Sequence, residues 1–146
     1  MKNIALCIIL CIGLNAFGQI HEPVKWSTSV EEISKYEYYL VATATIENKW
    51  HLYSQNVPED GPIPTTFTFE KNNRFKLVGA VEEDKGHTID DPVFNMKIKF
   101  FEHKAIFKQR VKSSKGSVIK GFVEFMVCDD SRCLPPTEVD LVFNIN

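Results

Sequence analysis

Residues 36–46 alternate without interruption. Tyr36, Tyr38, Leu40, Ala42, Ala44 and Ile46 share one face, and Glu37, Tyr39, Val41, Thr43 and Thr45 share the other. A period of two is the signature of extended chain, and the β-branched and aromatic content agrees, so the segment is expected to be a strand with one face on a core. The C-terminal residues 137–145 repeat the pattern: Val139, Leu141, Phe143 and Ile145 alternate with Glu138, Asp140, Val142 and Asn144. Shorter strand-like stretches lie at 24–30, 50–53, 65–70, 75–81 and 118–127. Residues 97–111 add two halves broken near Glu102-His103-Lys104. Pro58, Gly61, Pro62 and Pro64 mark a loop over 57–64, and residues 113–117 read as a turn. Residues 82–95, with Gly86, Asp90, Asp91 and Pro92, read as a second loop, too long for a tight hairpin. About eight short strands with no helical periodicity predict an all-β fold, an antiparallel immunoglobulin-like β-sandwich. No repeat or linker divides it, and 146 residues are enough to bury a core.

The first residues bear on compartment. Lys2 precedes an apolar run over 4–14, and Ala16-Phe17-Gly18 places small residues at the two positions a signal peptidase reads. Residues 1–18 are expected to be a signal peptide, and 19–146 the exported domain beginning at Gln19. The run is too short to span a bilayer, which takes ~20 residues. Cys7 and Cys11 lie inside it, without the preceding small residues of a lipoprotein site, and leave with the signal. No later segment is apolar for long enough to cross a membrane, so a soluble mature protein in a disulfide-permissive compartment is expected. The formal net charge is −2 and no basic stripe appears, which argues against nucleic acid or an anionic membrane as partner. Nothing points to an obligate oligomer, so a monomer is expected.

Two cysteines remain, in Met126-Val127-Cys128-Asp129-Asp130-Ser131-Arg132-Cys133-Leu134-Pro135-Pro136. They close a loop between two strands. A structural staple is one reading, but so short a loop removes only about 2 kcal/mol of chain entropy, and a staple would more naturally join distant strands. Redox exchange is the other, and the residues alone leave both open. Two cysteines with no nearby histidine are half a zinc site, so no metal or other cofactor is expected. A sensor or metallochaperone using Cys128, Met126 and a histidine is a third reading. If Val123, Phe125 and Val127 face the core, Cys128 falls on the opposite side with Glu124, nearer the surface. Asp129 and Asp130 disfavour a thiolate at Cys128, while Arg132 favours one at Cys133, which suits a pair that a partner's thiolate attacks.

Cys-x-x-x-x-Cys-Leu-Pro-Pro followed by a closing strand resembles the N-terminal periplasmic domain of the bacterial membrane thiol:disulfide interchange protein DsbD. The resemblance extends to Trp50-His51-Leu52-Tyr53-Ser54-Gln55, where the family places two aromatic residues beside its cysteines, and to Asp90-Asp91-Pro92-Val93-Phe94, which is similar to its cap loop. It implies an immunoglobulin-like fold, a redox-active pair Cys128 and Cys133, His51 and Tyr53 as neighbours, Phe94 as a shield, and Asp90 or Asp91 as a nearby acid. It also implies a periplasmic electron carrier of protein-disulfide reductase type with thioredoxin-like partners. Better-known members place five residues between the cysteines and this chain four, so the local turn should differ. The chain ends at Asn146 without a membrane conduit or a thioredoxin-like domain, so a separate donor is expected, thioredoxin-like or a membrane thiol-transport protein. Arg132 favours Cys133 as the nucleophile toward partners, while the resemblance has the second cysteine meeting the upstream donor as well. Partners would dock around the pair, where Pro135 and Pro136 lack backbone donors. The rival reading is a secreted immunoglobulin-like binding module whose disulfide is structural.

Overall fold

The alternating segments become strands in a computed structural model that describes residues 21–146. The expected signal peptide at 1–18, with Cys7 and Cys11, lies outside the described residues. In chain order the strands are β1 (Val24–Ser34), β2 (Glu37–Ile46), β3 (His51–Tyr53), β4 (Thr66–Phe69), β5 (Phe75–Glu83), β6 (His87–Asp91), β7 (Met96–Phe101), β8 (Lys104–Ser113), β9 (Val118–Phe125), β10 (Val127–Cys128) and β11 (Thr137–Asn144). No helix occurs among the described residues.

All strand pairs are antiparallel. They form three sheets, ordered β1-β2-β8-β5, β10-β3-β7-β6 and β11-β9-β4. The alternation of β2 is realised: Tyr38, Leu40, Ala42, Ala44 and Ile46 are buried. Tyr36, expected on that face, instead stands exposed in the β1–β2 turn with φ +72°. The main core joins this face to Leu52, Phe101, Val123, Val127, Leu141 and Phe143 from the other two sheets. Phe107 sits among the rings of Trp26, Phe67 and Phe101, with centroids 5.0–5.7 Å away. Truncating such a ring to alanine costs about 3–5 kcal/mol.

Two departures from the sequence expectation shape the functional end. The single strand expected over 118–127 breaks at Met126: β9 pairs with β11 and β4, whereas β10 pairs with β3. The loop expected over 82–95 contains β6, which forms a hairpin with β7. Gly86 makes the approach to β6 feasible. Its φ is +61°, and a Cβ there would lie 2.8 Å from the Phe100 carbonyl oxygen and 2.9 Å from the Phe101 ring.

Candidate functional site

Register places the cysteines. Val127 pairs with Leu52 and Cys128 with His51, while Leu52 pairs with Phe101 and Tyr53 with Phe100. Directly opposed residues point to the same face of a sheet. Val127, Leu52 and Phe101 therefore face the main core, and Cys128, His51, Tyr53 and Phe100 face the other way. The expected parity holds, but its consequence does not: Cys128 is 0% exposed rather than near the surface. This stretch of sheet is covered on both faces. Cys128 clusters with Tyr53, Ile98 and Phe100, and Val57, Phe94, Met96, Met126 and Cys133 pack around them.

Cys128 and Cys133 face one another as a β-bridge and form a disulfide with Cα atoms 3.9 Å apart. Hydrogen bonds flank the pair, from Asp129 N to the Arg132 carbonyl and from Leu134 N to the Val127 carbonyl, both 2.9 Å. This is the narrow, non-hydrogen-bonded position of an antiparallel ladder. The four intervening residues form the turn, and Asp129 organises it by accepting bonds at Oδ1 from Ser131 N, Ser131 Oγ and Arg132 N. The Ser131 amide and hydroxyl, then the Arg132 amide, hold the Asp129 carboxyl below its ordinary pKa. Arg132 Nε lies 3.6 Å from Asp129 Oδ2, so its charge is shared with that carboxylate rather than free to favour a Cys133 thiolate. Access distinguishes the two cysteines instead, because Cys133 is partly exposed and Cys128 is not.

The β6–β7 hairpin packs its turn against the same cluster. Asp91 pairs with Met96 across a four-residue turn, in which Asn95 has φ +54° and donates its amide to the Asp91 carbonyl at 2.8 Å. The Asp91 side chain accepts the amides of Val93 and Phe94 at Oδ1 (2.8 and 3.1 Å) and the Tyr53 hydroxyl at Oδ2 (2.9 Å). Phe94, half-buried at the tip, meets Tyr53 edge to face with centroids 5.9 Å apart. Burial, and then the Asp91 carboxylate, push the Tyr53 phenol well above its ordinary pKa, so it stays a donor. Asp90 lies on the opposite face of β6, exposed and 3.1 Å from Lys97 Nζ.

The fold thus gathers Cys128, Cys133, His51, Tyr53, Asp91 and Phe94 at one end of one sheet and leaves Asp90 outside. His51 is buried, its ring tilted 30° against Phe100 at 4.3 Å, and its Nε2 lies 3.2 Å from Glu102 Oε1. The sequence reading missed Glu102, whose place beside His51 depends on the β3–β7 register. It also missed Glu83, which accepts bonds from Ser54 Oγ, Gln55 N and Lys99 Nζ and ties the end of β3 to β5 and β7. Burial acts to raise the Glu83 pKa, but these three donors outweigh it and hold the carboxyl below the usual value. Among the described residues no group of three or more His, Cys, Asp or Glu is placed to hold a metal ion.

The family pattern described as "Thiol:disulfide interchange protein DsbD, N-terminal" matches residues 23–143. No curated protein is significantly similar in sequence. Among solved structures, the N-terminal domain of Neisseria meningitidis DsbD in the reduced form is similar, with a TM-score of 0.54 at 14% identity over 72% of this chain and 75% of that one. The N-terminal periplasmic domain of ScsB from Proteus mirabilis gives a TM-score of 0.60 at 12% identity over 88% of this chain. The match spans 50% of that ScsB chain. At these identities the likeness is one of fold, the immunoglobulin-like sandwich expected from the strand pattern. No described helix is long and apolar enough to cross a membrane.

Proposed function

The chain belongs to the family of DsbD N-terminal domains, and from that premise we propose that it carries electrons by thiol–disulfide exchange through Cys128 and Cys133. The observation that carries the reading is the asymmetric disulfide under a cap: Cys128 is wholly buried, Cys133 is partly exposed, and Phe94 on a hairpin turn packs against the same cluster. A donor thiolate attacks the Cys133 sulfur, the Cys128–Cys133 bond breaks, and Cys128 carries away the bonding pair. The donor's second thiol then resolves the mixed disulfide and leaves both cysteines reduced. The reverse sequence hands the electrons to a partner disulfide.

In this reading residues 1–18 direct export, residues 19–146 act in the periplasm, and thioredoxin-like or membrane thiol-transport proteins are donor and acceptor. Phe94 shields the pair, Tyr53 and Asp91 hold the shield, and Asp90 serves the surface. The rival binding module with a structural disulfide draws on one observation, the complete burial of Cys128.

A trapping experiment separates the two. The oxidised protein is mixed with reduced thioredoxin, and the disulfide is followed by thiol alkylation and mass. Exchange predicts reduction of the folded protein, together with a stable adduct between the Cys128→Ser variant, but not the Cys133→Ser variant, and a thioredoxin whose resolving cysteine is replaced by serine and whose remaining thiol carries thionitrobenzoate as leaving group. A disulfide that survives until the protein is unfolded would establish the staple.

A further inference from the structure

One row of side chains runs across three strands of the sheet beside the disulfide. Cys128 on β10 is register-paired with His51 on β3. Because Leu52 pairs with Phe101, the last residue of β7, the residue just past the end of that strand, Glu102, comes beside His51, and its carboxylate lies 3.2 Å from His51 Nε2. Paired residues hold their Cβ atoms within ~4.5–5.5 Å, so sulfur, imidazole and carboxylate stand side by side on one face. The imidazole is held there: its side chain is 10% exposed, its ring lies against Phe100, and its Nε2 lies 3.2 Å from Glu102 Oε1. A nucleophile, a base and a carboxylate that orients the base are the parts of a proton-transfer row.

Burial of Cys128 gives that row a purpose. When a thiolate attacks Cys133, the electron pair of the broken bond must settle on a sulfur in an apolar cluster, and an unpaired buried anion is costly. We propose that His51, held by Glu102, protonates the Cys128 sulfur as it leaves and takes the proton back when Cys128 attacks a mixed disulfide. In the forward step the donor thiolate forms a bond to Cys133, the Cys128–Cys133 bond breaks, and imidazolium becomes imidazole as the Cys128 thiol forms. In the reverse step Cys128 expels the partner's sulfur from Cys133 and its proton returns to His51.

The other ionisable groups around His51 have separate engagements. Tyr53 and Asp91, one pair along the same face, bond to each other. His87 approaches Phe100 from β6 with a centroid distance of 6.3 Å. His103 beside Glu102 is exposed, and Asp129 is turned into its own loop. Lys49 shares with Asp129 and Asp130 a cleft that His51 does not line. Glu102 is therefore the carboxylate that supports the imidazolium.

This inference rests on the exchange reading, and the test separates their failures. Reduction of the disulfide by dithiothreitol is timed from about pH 5 to about pH 9, and each rate is divided by the reagent's thiolate fraction. Histidine chemistry predicts a corrected rate that falls as the imidazole loses its proton. His51→Gln and His51→Phe should flatten that profile and slow the acid-side rate by about a hundredfold, the lower end of what a positioned acid contributes. Glu102→Gln, at a side chain 40% exposed, should keep the fall with pH but lower the acid-side rate several-fold, because the imidazole loses the carboxylate that positions it. Thermal melts establish folding of each variant, and the Glu102→Gln rate decides the matter alone if both His51 variants unfold. A native rate and profile in the His51 variants, or a native rate in Glu102→Gln, would overturn the proton role while leaving exchange standing. A folded native protein that dithiothreitol does not reduce at any pH would overturn both.

Discussion

The Tyr53 hydroxyl donates to Asp91 at 2.9 Å, and the other oxygen of that carboxylate holds the amides of Val93 and Phe94. One buried side chain thus joins the floor of the disulfide cluster to the turn that covers it.

Asp91→Ala strands the buried Tyr53 hydroxyl and frees two amides. The expected cost is about 2–3 kcal/mol, the scale of losing hydrogen bonds to a buried charged group. Urea unfolding measures it. The freed turn should also admit small thiols, so dithiothreitol should reduce the folded variant faster than the native protein.

Phe94→Ala tests the proposed shield apart from its support. Phe94 is half-buried and contributes only its ring to the cluster, so the melting temperature should change little. Reduction of the disulfide by glutathione should accelerate several-fold, while reduction by thioredoxin should gain less, because a docking protein displaces the ring itself. Equal acceleration for both reagents would remove Phe94 from any gating role.

Glu83 makes stability depend on acid. Its folded-state pKa lies below the ordinary 4.5, so the carboxylate's contribution is present above about pH 4.5 and is lost as pH falls through the folded value. The native protein should melt above Glu83→Gln at neutral pH, and the gap should close toward about pH 3. A gap that stays constant across that range would place the effect in packing rather than charge.

Tyr53 gives the opposite sign. Its folded-state pKa is raised, so its contribution is complete below about pH 10 and is lost as pH climbs toward the folded value. Absorbance titration should show one tyrosine ionising only as the protein unfolds in alkali, and Tyr53→Phe should remove it.

The strand residues and the cysteine turn were legible in the sequence because their patterns are local. The alternation of residues 36–46 and 137–145 needs no tertiary knowledge, and Cys128 with Cys133 announces itself by spacing. Strand β6 was hidden because four of its five residues are exposed and Asp90, Asp91 and Pro92 carry turn chemistry. Read as a strand, His87, Ile89 and Asp91 fall on one face and Thr88 and Asp90 on the other, which would have separated the two acids. The burial of Cys128 was not legible, because parity gives the face of a residue and not what covers it. Glu102 came to His51 through a cross-strand register that no spacing in the chain records.

A Cys128–Cys133 pair that exchanges electrons in the folded protein must have a reduction potential within reach of its partners. Equilibration with glutathione buffers, read by alkylation and mass, should give a midpoint between roughly −180 and −270 mV, where working oxidoreductases lie. A midpoint below about −300 mV, with thiols that alkylate only on unfolding, would rule out exchange and make the disulfide a staple.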